Sequence, residues 1–156
     1  MLAPVFEATA GVDGYVSLEV DPELAYERGP TFDEAKRLTG LVARPNLRTM
    51  LSAEPEQAVA GLPAGAFVLC MTQGHATDLP IVRQLLAAGR FAFIGVIGSE
   101  PKARTLRGAL LKEGFGPAAV EAIRCPVGLP IGSNAPAEIA VSIAAQLLQV
   151  RDGDVG

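Results

Sequence analysis

Residues 66 to 99, AFVLCMTQGHATDLPIVRQLLAAGRFAFIGVIGS, constrain this chain more than any other stretch. Phe67 to Met71 is a short apolar run of strand formers, and Phe91 to Ile97 is a second. Between them, Asp78 to Ala88 places apolar residues at helical spacing. The pattern predicts a strand–helix–strand unit. Strands that read as nearly continuous apolar runs are covered on both faces, as parallel strands of α/β proteins are. Open α/β sheets bind ligands beyond the C-terminal ends of their strands. Here those ends lead into Thr72-Gln73-Gly74-His75-Ala76-Thr77 and Gly98-Ser99, so any site is expected in these two loops.

Composition narrows the classes further. A chain of 156 residues that is 49% hydrophobic can bury a core and is not globally disordered. The longest apolar stretches, near 140–150 and 91–97, are too short or too interrupted to span a bilayer. No basic segment precedes an apolar one at the N-terminus, so a cytoplasmic location is expected. A formal net charge of −4, with 13 basic residues spread along the chain, argues against a nucleic-acid surface. Cys70, inside a predicted strand, and Cys125, before Pro126, form neither a disulfide framework nor a metal spacing. Cys70 reads as a buried thiol.

The remaining elements follow from turn and cap signals. Residues 1–14 favour a loop, and Tyr15 to Val20 is an alternating strand closed by Asp21-Pro22. Thr31 and Glu34 form a capping box ahead of a helix whose one face carries Phe32, Ala35, Leu38 and Val42. Leu47 to Leu51 is a weaker strand, and Ser52 caps a short helix through Glu56 to Ala60. Ser99 caps a basic helix in which Lys102, Arg104, Arg107 and Lys112 face solvent while Ala103, Leu106, Leu110 and Leu111 face inward. Gly114 ends that helix, Ala118 to Ala122 forms a short one, and Ser133 or Asn134 caps a last, well-buried helix carrying Ile139, Val141, Ile143, Ala144, Leu147 and Leu148. Residues 152–156 should fray. The βαβαβ alternation predicts a single α/β domain over residues 1–156, a Rossmann-like or flavodoxin-like three-layer sandwich with a mostly parallel sheet. Any strand edge left unpaired invites dimerisation.

Four motifs then carry a resemblance: Val68-Leu69-Cys70-Met71-Thr72-Gln73-Gly74-His75-Ala76-Thr77-Asp78; Phe93-Ile94-Gly95-Val96-Ile97-Gly98-Ser99 with Lys102 and Arg104; Cys125-Pro126-Val127-Gly128-Leu129-Pro130-Ile131-Gly132; and Pro136-Ala137-Glu138-Ile139-Ala140-Val141-Ser142-Ile143. In this order, over about 48–152, they resemble the C-terminal part of the XdhC family of xanthine dehydrogenase accessory proteins. The resemblance implies a Rossmann-like domain associated with binding molybdenum cofactor, or a nucleotide, and delivering the cofactor to a xanthine dehydrogenase partner. No G-x-G-x-x-G stands before any strand, so the glycine-rich turn usual in that family is missing.

Residues 4–47 resemble a different family. Phe6 to Ala25, Glu34-Ala35-Lys36-Arg37-Leu38 and Arg44-Pro45-Asn46-Leu47 are similar to the middle of a transaldolase, a (β/α)₈-barrel enzyme. That resemblance makes Glu19 the family's catalytic-site carboxylate and puts its Schiff-base lysine at position 50, which is Met50 here. A thioether forms no Schiff base, so no aldol chemistry and no enzymatic activity is expected. The two resemblances together suggest a chimera, an engineered recombination of fragments joined near residues 46–51.

Candidate binding residues follow from the loops. Gly74 and His75 stand after the first central strand, where a histidine can serve as base or ligand; Asp78 is expected to cap the helix that follows. Gly98 and Ser99 open a helix N-terminus that favours an anion, with Lys102 or Arg104 near. Gly128 and Gly132 frame a loop that, by the XdhC resemblance, closes over a pterin-like ligand. Each also has a purely structural role open to it: capping for Ser99, a tight proline-fixed connection for the 128–132 loop.

Overall fold

The computed structural model describes residues 52, 54–72 and 74–153. The expected strands at 15–20 and 47–51, the helix carrying Phe32 to Val42, Glu19 and Met50 lie outside them. A 3₁₀ helix, Pro55–Gly61, opens the described part. Its Glu54 N–H is held by Ser52 Oγ at 3.1 Å, so Ser52 supports the turn from outside while Glu54 occupies the cap position.

The central unit forms as the sequence demands. Strand β1 is Phe67–Cys70, helix α1 His75–Ala88 and strand β2 Phe93–Val96. The two strands pair in parallel, Phe67 opposite Phe93 and Cys70 opposite Val96. Beyond β2 the chain returns at Arg124, whose N–H donates to the Ile94 carbonyl while its own carbonyl accepts from Val96 N–H, both at 2.9 Å. A parallel bridge there, Gly95 to Arg124, extends the sheet on the side away from β1. Helices α2 (Glu100–Lys112), α3 (Pro117–Glu121) and α4 (Pro136–Asp152) complete the order.

Side-chain alternation sorts these elements into layers. Val68 and Cys70 of β1, with Ile94 and Val96 of β2, face Ile81, Val82 and Leu85 of α1, Ala103, Leu106 and Leu110 of α2, and Val120 of α3. Phe67, Leu69 and Phe93 face the opposite way, against Val127 and the Ile139, Ile143, Leu147 and Val150 stripe of α4. The result is a helix–sheet–helix sandwich of Rossmann type. Gly95 makes the second face close-packed: a Cβ there would come within 2.6 to 2.8 Å of Val127, Phe93 and Leu69. Side-chain-free backbone at the middle of β2 is what lets these three groups meet over it.

Three expectations about the helices need correction. The last helix is not buried all round; Val141 is 61% and Leu148 49% exposed, because α4 meets only one sheet face and a single 3-4 spaced stripe turns inward. Leu111 is 44% exposed, since its neighbour Leu110 takes the inward position and each helical residue turns about 100° from the last. Neither Ser133 nor Asn134 is the cap of α4. That position is Ala135, without a side-chain bond; Glu138 reaches back to accept from Ser133 N–H, and Ser133 Oγ accepts from Ala135 N–H at 3.2 Å. Hydrogen bonding from Ser133, its backbone N–H first and its side chain next, holds the Glu138 carboxyl below its usual range. Asp152 is the final residue of α4, and Gly153 in the left-handed region, φ 77°, closes it.

Candidate functional site

Both central strands end at the same edge of the sheet, and the loops leaving them meet there. The loop after β1 carries Met71, Thr72 and Gly74 into α1; the loop after β2 carries Ile97, Gly98 and Ser99 into α2. Polar side chains join them. Lys102, in the first turn of α2, brings its Nζ to 2.5 Å from Asp78 Oδ2 and donates to the Ile97 carbonyl at 2.8 Å. Thr72 Oγ1 lies 2.7 Å from the other carboxylate oxygen, Oδ1. Four segments are thus tied at one point, over a floor made by Cys70 and Val96.

Asp78 is therefore not the cap of α1. The helix starts three residues earlier, at His75, with Gly74 at the cap position and no side-chain cap. Asp78 points inward and is fully buried. Its spacing from Ile81, Val82 and Leu85 is the signal that sequence reasoning passed over: it occupies the next turn of the same inward stripe. Lys102 likewise departs from the expected solvent-facing row. Its side chain is only 19% exposed, because a fully buried carboxylate must be paired and the α2 turn offers the cation. Arg107 also turns in, donating to the carbonyls of Ile123 and Cys125 at 3.4 and 3.3 Å, while Arg104 and Lys112 stay exposed.

The two helix starts differ in what they leave free. At α2 the Ser99 side chain accepts from Lys102 N–H at 3.5 Å, Ala103 N–H bonds the Ser99 carbonyl, Pro101 has no N–H at all, and Glu100 N–H alone of this turn finds no acceptor among the described residues. Glu100 adds a carboxylate. Gly98 lies directly against the Lys102 stem; a Cβ there would sit 2.6 Å from Lys102 Cδ. At α1, Thr77 and Asp78 N–H both bond the Gly74 carbonyl, whereas those of His75 and Ala76 find no acceptor among the described residues. Among the described residues, a Cβ on Gly74 would meet nothing within 4 Å, and the buried Nδ1 of His75 has no partner.

Gly128 and Gly132 are placed elsewhere, against α4. Gly128 has φ +106°, and Gln146 grips its backbone from both sides, Oε1 on its N–H at 2.9 Å and Nε2 on its carbonyl at 3.4 Å. A Cβ would fall 2.5 Å from Ser142 Oγ. Gly132, φ +73°, is packed on Glu138 in the same way. These two glycines mount α4 on the sheet, and among the described residues no hydrogen bond or ion pair links them to the Thr72–Lys102 group. The cysteines are both free and buried. Burial, then the Asp78 charge, pushes the Cys70 thiol up to about 12, and burial raises Cys125. Neither is a ready nucleophile or metal ligand. No group of three His, Cys, Asp or Glu that could hold a metal occurs among the described residues. A shallow cleft lined by Arg90, Phe91, Arg124 and Val150 opens at the opposite end of β2, away from these loops. No described helix is long and apolar enough to cross a membrane.

Comparison with known proteins agrees with this architecture. The family description "XdhC Rossmann domain" matches residues 4–147, a range that also runs through the stretch with the transaldolase-like motifs. A solved structure described as a xanthine dehydrogenase from Bacillus halodurans superposes with a TM-score of 0.54 at 31% identity, covering 70% of this chain and 31% of that one. Part of the chain is also similar to transaldolases. That of Thiobacillus denitrificans is 57% identical over 56 residues, 36% of this chain and 16% of the enzyme; that of Acidothermus cellulolyticus is 46% identical over 79 residues, 51% of this chain and 20% of the enzyme. The chain thus spans about a fifth or less of these two transaldolases and under a third of the solved relative. With the fold, the loop geometry and a match over most of its length in agreement, the chain belongs to the XdhC Rossmann domain family.

Proposed function

We propose that this chain is a non-catalytic binding module of the XdhC type, in which the mouth between Thr72, Gly74 and His75 on one side and the Ile97–Ser99 loop on the other takes a phosphate-bearing ligand. By the family's inheritance that ligand is molybdenum cofactor, carried as cargo for a xanthine dehydrogenase, or a nucleotide. One observation carries the reading: Asp78, Thr72 and Lys102 bring the two post-strand loops together at the end of the sheet where α/β folds bind ligands.

The fit is uneven, and informatively so. The amides of His75 and Ala76, without an acceptor among the described residues and beside Gly74, suit an anion at the positive end of α1. Ser99 and Lys102 are engaged within the protein, so they shape the mouth and leave the phosphate to α1. The thiols do not suit the metal end of the cofactor, because both are buried and protonated. Gly98 forms the back of the mouth, while Gly128 and Gly132 fix α4.

The reading is tested by thermal unfolding of the whole chain with AMP and with molybdopterin. A ligand present at tenfold its Kd adds about 1.4 kcal/mol, roughly a 3–5 °C rise in Tm for a domain of this size. Gly74→Asp is the matched control: it supplies the cap that α1 lacks but places a carboxylate in the mouth, so the shift should vanish while the free protein stays folded. No shift with either ligand at saturation removes the proposal. The transaldolase similarity favours a second reading, a chimera without inherited activity. Under both readings, borohydride reduction in the presence of a ketose phosphate should leave no covalent adduct.

A further inference from the structure

We propose that Asp78 and Lys102 are positioning residues, a buried clasp that sets the spacing of the two loops without touching the ligand. The proposal rests on the reading of those loops as one mouth. A fully buried carboxylate and a nearly buried ammonium carry a large desolvation penalty, and well-packed apolar groups of similar volume serve stability as well or better. The floor beneath them is apolar: Cys70, Val96 and Ala103 all belong to the main core. Stability alone therefore gives no reason for charge at this point. Geometry does. A salt bridge with supporting hydrogen bonds fixes distance and direction, whereas apolar contacts slide.

The bonding pattern matches that purpose. Asp78 uses one oxygen on Thr72, from the β1 loop, and the other on Lys102, from α2. Lys102 adds the Ile97 carbonyl, from the β2 loop. Gly98 is bare so that the Lys102 stem can fold back across it, which places the ammonium over the sheet edge rather than in solvent. The clasp thereby holds Gly74 and Gly98, one from each loop, in fixed relation.

Amide hydrogen exchange of the full chain tests this, read at one hydrogen-bonded amide from each junction: Thr77, which donates to the Gly74 carbonyl, and Ile97, which donates to the Cys70 carbonyl. The apolar pair Asp78→Leu with Lys102→Met removes the charges together. It should unfold within a few degrees of the parent yet speed exchange at both amides at least tenfold, while amides of the α4 interior such as Ile143 stay unchanged. Thr72→Val cuts a single arm; it should speed Thr77 and leave Ile97 alone, and Thr72→Ser should restore the parent rate. Parent exchange rates at both amides in the folded double variant would overturn the proposal. So would Thr72→Val moving both amides equally, which remains readable if the double variant does not fold. These outcomes are independent of ligand: a parent protein that binds neither AMP nor molybdopterin ends the functional reading and leaves the clasp standing or falling on exchange alone.

Discussion

The two βα junctions at the top of this sheet are built from the same parts, an apolar strand, a short glycine-containing loop and the first turn of a helix, yet they are finished in opposite ways. At α2 the junction is closed but for the Glu100 amide: Ser99 caps, Pro101 removes a donor, and the Lys102 stem lies on Gly98. At α1 it is open: Gly74 offers no cap, and two amides and a histidine nitrogen lack partners among the described residues. A fold that needed only stability would close both, since a cap contributes about 0.5–2 kcal/mol. The difference teaches where the molecule keeps donors in reserve. It also shows that the charge expected to attract a ligand at α2 is instead directed back across the sheet to Asp78.

The largest expected effect comes from breaking that connection on one side only. Lys102→Met leaves a fully buried carboxylate without its counter-charge, and such losses run to about 3–5 kcal/mol. Chemical denaturation should show it as a fall in the midpoint at unchanged slope. A loss under about 1 kcal/mol would mean that water reaches Asp78 and that the closed junction is closed in appearance only.

Below the junctions lies the Cys70 thiol, and it supplies a pH test of how dry the floor is. Its pKa stands at about 12 in the folded chain against 9.0 for the free thiol. Above pH 9 the unfolded chain gives up this proton and the folded chain keeps it, so the unfolded state binds fewer protons and stability falls as pH rises. Between 9 and 12 this group contributes a loss of about 1.4 kcal/mol per pH unit. Replacing it in Cys70→Ala should flatten that slope. An equal slope in both proteins would place the alkaline sensitivity elsewhere and make the floor wetter than its burial indicates.

Much of this organisation is legible in the chain, for identifiable reasons. The β1–α1–β2 unit is readable because two apolar runs and a periodic segment alternate, and the C-terminal ends of the strands then name the loops. The closing of α2 is readable because Ser99 and Pro101 are local signals. The partnership of Asp78 is not, because Lys102 lies in another helix and the same aspartate fits a cap when only neighbours in sequence are weighed. The 128–132 loop poses the same problem of distance along the chain. Its glycines invite a ligand reading, but the groups that explain them are Ser142, Gln146 and Glu138, ten or more residues away for Gly128 and on the next helix for Gly132. Positive φ at both positions goes with close packing against α4.

The smallest effects sharpen the comparison most, because they carry opposite signs. Ser99→Ala removes a cap whose hydrogen bond is long, 3.5 Å, so the loss belongs at the low end, about 0.5 kcal/mol. Gly74→Ser adds a cap where none exists. The residue already has an extended backbone, φ −169°, and room for a Cβ, so nothing has to move. The serine oxygen can then accept from an amide that is otherwise unmatched, for a gain of a few tenths to about 1 kcal/mol. Measured side by side by denaturant midpoint, the two variants should bracket the parent. If Gly74→Ser instead destabilises, the α1 amides already have partners and the junction is not open; if it stabilises while weakening AMP or molybdopterin, the missing cap is the feature that leaves those amides to a ligand.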